Sequence, residues 1–203
     1  QIKRSVFKRL YNKDKDLTFV PIKDEAIMMS VLPDGVDEKS ITEVHFHPSS
    51  SKTTGTNLGT ENGPVFFELN STIVNYYTPK ESFNLKNVTS HMFWNWESLE
   101  KIDFTGVDTS EATDFACFLY ECHNLKEFNA EFINTSSAVN FWSMFRNCRK
   151  LERLDLSSFN TTHVMDMSAM FEGCRNLREL NLCSFDTRRC KVMTGIFNNC
   201  CSL

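Results

Sequence analysis

The stretch from Leu151 to Asn176, LERLDLSSFNTTHVMDMSAMFEGCRN, returns in outline whenever the sequence is shifted by 26 residues. Leu99, Leu125, Leu151, Leu177 and Leu203 keep this interval, as do Cys122, Cys148, Cys174 and Cys200, with Trp96 one step earlier. Thr109, Thr135, Thr161 and Thr187 keep it too, each preceded by Asp or Asn (Asp108, Asn134, Asn160, Asp186). A fixed period of this size marks units that cannot bury an apolar face alone and must stack to build a shared core. No other feature constrains the fold as strongly.

Each unit has two halves. The first, LERLDLS, is expected to form a short strand with Leu151, Leu154 and Leu156 inward. The matching triplets are Leu99/Ile102/Phe104, Leu125/Phe128/Ala130 and Leu177/Leu180/Leu182. In the second half Val164, Met167, Met170, Phe171 and Cys174 recur three or four apart, which predicts a helical or 3-10 segment. Asn160-Thr161-Thr162 stands ahead of it to cap its free N–H groups.

The charges support parallel stacking. In an in-register parallel sheet, equivalent residues lie about 4.8 Å apart, so opposite signs pair and like signs repel. The series Lys101, Glu127, Arg153, Glu179 and Glu100, Lys126, Glu152, Arg178 both alternate in sign, and Asp103, Asn129, Asp155, Asn181 alternates carboxylate with amide. Such exposed pairs are expected to set register rather than add stability.

Residues 1–82 lack the period and are assigned to a mainly β N-terminal capping region, with the repeat array at 83–203 in about four units. The opening KRSVFKRLYNKDKD has a basic, partly helical pattern and reads as a solvated face. DLTFVPI, ITEVHFHP and GPVFFELNSTIVNYY read as strands, and SSSKTTGTNLGTENG, residues 49–63, as a mobile polar loop. Phe93, Trp94 and Trp96, in an irregular first unit, suit the junction with the cap. The chain starts at Gln1 without a Met and stops at the first residue of a new unit, so it is read as a fragment of a longer protein, with a removed signal peptide and further repeats as expectations.

The repeat, LxxL[DN]L then Phe then [DN]-T-x-x-V-x-x-M-x-x-M-F-x-x-C-x-x-L, resembles the BspA-type leucine-rich repeat over residues 83–203, most closely at Leu151–Leu177. The unit from Ser82 departs from it at Val88 and Trp96, and the unit from Asp108 at Ala112 and Leu119. ITEVHFHPSSS is similar to the strand that precedes such arrays. The resemblance implies an α/β solenoid, with a parallel sheet on one face and short helical or 3-10 segments on the other. It further implies a secreted or cell-surface protein, of a kind found in bacteria and some protists and tied to adhesion or host contact. It carries no shared enzymatic activity.

With 203 residues, 41% hydrophobic and 24% charged, the composition is that of an ordinary soluble globular domain; eighteen phenylalanines are its one oddity. A net charge of −4 argues against nucleic acid as a partner. No apolar run is long enough for membrane insertion.

The eight cysteines include no CxxC pair, so zinc-finger spacing is absent. Cys122, Cys148, Cys174 and Cys200 read as small buried structural spacers with free thiols, while Cα spacing alone also permits bridges between stacked equivalents. Cys117 and Cys190 are expected in the core, Cys183 and Cys201 outside. His45 and His47 share a strand face without an evident third ligand beyond a distant His91 or a carboxylate, and read as ordinary polar residues, as His123 and His163 read as surface. No metal or other cofactor is expected. Asn70, Asn87, Asn134 and Asn160 fit the glycosylation pattern.

No nucleophilic triad, phosphate-cradling loop or carboxylate pair stands out, so the chain is read as non-enzymatic. Two surfaces compete as binding sites. One is the strand face of Lys101, Asp103, Glu127, Asn129, Arg153, Asp155, Glu179 and Asn181, with Cys183; the other is the outer half, with Trp94, Tyr120 and Trp142. The expected function is a monomeric adhesion or binding module for a protein or glycan. A structural spacer is the alternative, and an enzyme built around the N-terminal histidines comes last.

Overall fold

A computed structural model describes residues 7–9, 19–21, 32, 35–52, 54–57, 65–85 and 89–203. The remainder of the basic opening and of the 49–63 loop, together with Asn87 and Val88, lies outside the described residues. In chain order the strands are β1 (Phe7–Arg9), β2 (Phe19–Pro21), β3 (Glu43–His47), β4 (Thr56–Asn57), β5 (Phe66–Asn70), β6 (Ile73–Tyr77), β7 (Phe83–Asn84), β8 (Lys101–Asp103), β9 (Val107–Asp108), β10 (Arg153–Asp155) and β11 (Glu179–Asn181). The helical content among the described residues is two three-residue 3-10 turns, Glu38–Ser40 and Ala130–Phe132.

The expected α/β solenoid is not formed: the protein is mostly β, with small separate sheets. β1 pairs antiparallel with β2, which replaces the partly helical pattern expected at Phe7–Arg9. β4-β5-β6-β3-β8 form one five-stranded sheet, while β7-β9 and β10-β11 are two-stranded and parallel. Glu43, Val44 and His45 of β3 lie in register with Lys101, Ile102 and Asp103 of β8, so the N-terminal sheet takes in the first strand of the repeats. Phe46 accordingly stacks on Tyr76 on one side and Phe104 on the other, at 5.6 and 5.9 Å between centroids.

A single continuous sheet fails at the second repeat. Its strand position, Glu127 to Asn129, is followed by the 3-10 turn Ala130–Phe132, whose first free N–H, on Glu131, is accepted by Asn129 Oδ1 at 3.1 Å. Ala130 stands where Phe104 and Leu156 reach into the core. Only a methyl stands there, and Ala130 is buried at 3% exposure.

The outer half is not helical either, and the cause is conformational. His91, Cys117, Ser143, Ala169 and Gly195 occupy one repeat position, and Asn95, Glu121, Asn147, Gly173 and Asn199 another; all ten have positive φ, between 53° and 75°. Two left-handed residues four positions apart in each repeat interrupt any helix there. What forms instead is a chain of tight turns, such as Phe118 N–H to Phe115 O at 3.2 Å and Cys122 N–H to Leu119 O at 3.2 Å. The three-or-four spacing of apolar residues arises from these turns. Alternate N–H groups cross to the next repeat. Phe115, Cys117, Leu119 and Glu121 donate to the carbonyls of Asn140, Trp142, Met144 and Arg146, each at 2.9 Å. Parallel bridges join Asp114, Asn140, Asp166 and Val192 along the same edge.

Side chains complete this register. Thr135 Oγ1 is buried, donates to Asn160 O at 3.1 Å and accepts Asn160 N–H at 2.8 Å. Thr109 holds Asn134, and Thr161 holds Asp186, in the same way. Thr135→Val keeps the shape but strips Asn160 of both partners. It is expected to cost about 1–3 kcal/mol in urea denaturation, because two part-buried hydrogen bonds worth about 0.5–1.5 kcal/mol each are lost. The same change at the exposed Thr187 is expected to be silent.

Candidate binding surface

The charged strand face is built mainly to hold itself together. Asp103, Asn129, Asp155 and Asn181 each turn a side-chain oxygen to the N–H two residues on, at Thr105, Glu131, Ser157 and Cys183, between 2.9 and 3.1 Å. They are corner-forming groups of the kind Asp and Asn supply at turns. The N–H and hydroxyl contacts hold the Asp103 and Asp155 carboxyls below their ordinary range. Two more rows do the same: Asp108, Asn134, Asn160 and Asp186 at one corner, Asp114, Asn140 and Asp166 at another. Asn160 therefore caps a turn rather than a helix.

Charges on this face pair across repeats. Lys126 meets Glu100 at 2.6 Å and Arg153 meets Glu179 at 3.3 Å, all well exposed. Lys101 stands opposite Glu43 in the β3–β8 register, and Glu127 is exposed. Such pairs set register more than stability. Lys126→Ala is accordingly expected to leave the thermal midpoint unchanged, measured by circular dichroism at two salt concentrations.

The outer turns carry a second row, one residue per repeat: Trp94, Tyr120, Arg146, Glu172 and Asn198. The Trp94 and Tyr120 rings lie 12° from parallel with centroids 6.5 Å apart, an offset pair. The Arg146 guanidinium sits over Tyr120, 5.5 Å from its centroid. Arg146 Nη2 donates to Glu172 Oε1 at 3.3 Å, with Nε 3.2 Å from Oε2, and Asn198 Nδ2 donates to Oε1 at 3.3 Å. His91 meets Trp94 edge-on at 6.0 Å. Trp94 is 47% exposed, a large apolar surface for a side chain with a fixed neighbour. Trp142 is half-buried in the adjoining row, its backbone N–H donating to Asn140 Oδ1 at 2.9 Å. Sequence reasoning picked out Trp94 and Tyr120 but missed Arg146, Glu172 and Asn198, which the same 26-residue step places beside them.

The four repeat cysteines lie behind this row. Cys122, Cys148 and Cys174 are buried and Cys200 half-buried, all as free thiols. Each Sγ donates to a carbonyl of the preceding repeat: Phe93, Leu119, Phe145 and Phe171, between 3.0 and 3.3 Å. Burial pushes the Cys122 and Cys148 thiols up and that of Cys174 to about 12. Cys117 is buried, Cys190 half-buried, and Cys183 and Cys201 exposed.

His45 and His47 lie on the open face of the five-stranded sheet. His45 Nε2 is 3.0 Å from Glu43 Oε2, and His47 Nε2 is 2.9 Å from Asn75 Oδ1, its ring stacked on Tyr77 at 4.6 Å. Lys52 Nζ also lies over the Tyr77 ring, 4.3 Å from its centroid, and pairs with Glu68. His91 is in the outer turns instead. Among the described residues no three His, Cys, Asp or Glu side chains gather as a metal site would require, and no helix is long and apolar enough to cross a membrane. His123 is half-buried, 3.8 Å from Glu121, and His163 is exposed. Of the glycosylation-pattern residues, Asn70, Asn134 and Asn160 are exposed, the last two with Oδ1 engaged in a turn.

Among known proteins, the model of a family described as "Mycoplasma protein of unknown function, DUF285" matches residues 86–203. No curated protein matches, and no solved structure does.

Proposed function

Because the chain belongs to the DUF285 family of Mycoplasma proteins of unknown function, it inherits no activity, and we propose a reading from its own surface: a non-catalytic binding module, secreted or displayed at a cell surface, that recognises a protein or glycan. One observation carries it. The indole of Trp94 stands 47% exposed at the head of a row of planar side chains, held there by Tyr120 and backed by Arg146. Aromatic and arginine side chains fixed in this way are what interface hot spots are made of. The resemblance of the repeat to BspA-type surface proteins supports the location. A spacer is the second reading, favoured by the pairing of strand-face charges across repeats in Lys126–Glu100 and Arg153–Glu179.

The test is binding of the fluorescently labelled protein to immobilised mammalian cell-surface material. The binding reading expects saturable capture by the native chain and loss on Trp94→Ala. Capture that is absent, or indifferent to Trp94, supports the spacer.

A further inference from the structure

We propose that the Trp94–Tyr120 row is a glycan site, and that the glycan is a neutral oligosaccharide. The inference rests on the binding-module reading and names its ligand class. Three features of the row point to this.

The first is the shape of the apolar surface. Two near-parallel rings with centroids 6.5 Å apart form a narrow ledge; Arg146 sits over Tyr120, so the open apolar surface is that of Trp94, 47% exposed. A protein interface needs roughly 1,000 Å² or more with an apolar centre and a collar that excludes water. Among the described residues the other exposed large apolar side chains, Phe132, Met165, Met193, Phe197 and Leu203, belong to other repeat positions than this ledge. A pyranose ring needs no more than it offers, because the carbon-bound hydrogens of one sugar face match the negative face of an aromatic ring.

The second is the chemistry alongside. Arg146 presents only donors, Glu172 only acceptors and Asn198 both. Each sugar hydroxyl is at once donor and acceptor, so adjacent hydroxyls match this run of planar groups. Their contacts with each other hold the groups in place before a ligand arrives, at 3.3 Å between Arg146 and Glu172 and 3.3 Å between Asn198 and Glu172. Such preorganisation reduces the ordering cost of binding.

The third is charge. Glu172 neutralises Arg146, and Glu121, beside Tyr120 and bonded to Asn147 Nδ2 at 3.3 Å, adds a second carboxylate to the flank. Within the row a sialylated or sulfated ligand meets a guanidinium already paired with Glu172 and finds no second one. The site therefore selects against anions.

The experiment presents the full chain to an array of neutral gluco-, galacto- and N-acetylglucosamine oligomers together with sialylated and sulfated counterparts. The expected result is binding to at least one neutral series in preference to the anionic ones. Trp94→Ala is expected to weaken it by about tenfold or more, Trp94→Phe to restore part of it, and Lys150→Ala to change nothing. Trp94 is half-exposed, so its truncation leaves the fold intact, which circular dichroism checks. Binding confined to anionic oligomers, no binding to any oligomer, or equal binding by Trp94→Ala overturns the proposal. On cell-surface material, capture lost to protease but not to glycosidase overturns the glycan assignment and leaves the binding module standing. Absence of any capture removes both.

Discussion

Truncation of Phe145 to alanine is expected to remove about 3–5 kcal/mol of stability, a large fraction of the roughly 5–15 kcal/mol that holds a folded domain together. Phe145 is fully buried. Its ring stacks on Phe171 at 5.9 Å and 6° and meets Phe128 edge-on at 5.0 Å, while Phe171 stacks in turn on Phe197 at 5.7 Å. The cavity left behind has little means of closing. Repeats on both sides are held at fixed spacing by backbone bonds, Leu119 N–H to Met144 O and Phe145 N–H to Met170 O, both at 2.9 Å. A site that cannot collapse suffers the cavity penalty as well as the lost transfer energy. Phe197 makes the comparison: it occupies the same repeat position but is 42% exposed, so Phe197→Ala is expected to cost about 1 kcal/mol. Urea denaturation of the two variants decides it, and equal losses would contradict a core graded along the stack.

Stability is also expected to fall on the alkaline side. An unfolded thiol ionises near 9.0, whereas burial holds the folded Cys174 thiol protonated up to about 12. Between those values the folded state binds more protons than the unfolded state, so stability drops as pH rises. Below the unfolded value both states are protonated and the curve is flat in this group. Each pH unit within the window is worth about 1.4 kcal/mol for one such thiol. Cys122 and Cys148, raised by the same burial, act in the same direction. The check is urea denaturation at several pH values from 8 upward for the native chain and Cys174→Ala. The native chain is expected to lose stability more steeply, and parallel curves would refute the assignment.

The core was legible because periodicity reports burial directly. Leu99, Leu125, Leu151 and Leu177 are all fully buried, and Thr109, Thr135 and Thr161 are buried beside them. The outer half was misread because apolar spacing reports which side chains face inward and says nothing of the backbone's hand. Cys117, Ser143 and Ala169 adopt positive φ without any residue-type signature. The position four residues later did carry one: Asn95, Asn147, Gly173 and Asn199 are the types that tolerate a left-handed backbone, and their recurrence argued against a helix. Gly173 is also closely fitted, since a Cβ there would lie 2.1 Å from Asn147 Oδ1. The break in the sheet coincides with one small residue, Ala130, where other repeats carry large ones. The Trp94 row was half legible. Its aromatic members stood out, whereas Arg146 and Glu172 look like ordinary surface charges until the rings they attend are set beside them.

The account stands on repeats in parallel register with their cysteines turned inward as thiols, each bonded to the repeat before. A thiol count on the native protein, with and without denaturant and read by mass spectrometry, tests this most directly. Cys183 and Cys201 are expected to label at once, and Cys117, Cys122, Cys148 and Cys174 only after unfolding, with no bridge found. A Cys122–Cys148 or Cys174–Cys200 disulfide, or native labelling of Cys148, would contradict the stacking at its best-defined position.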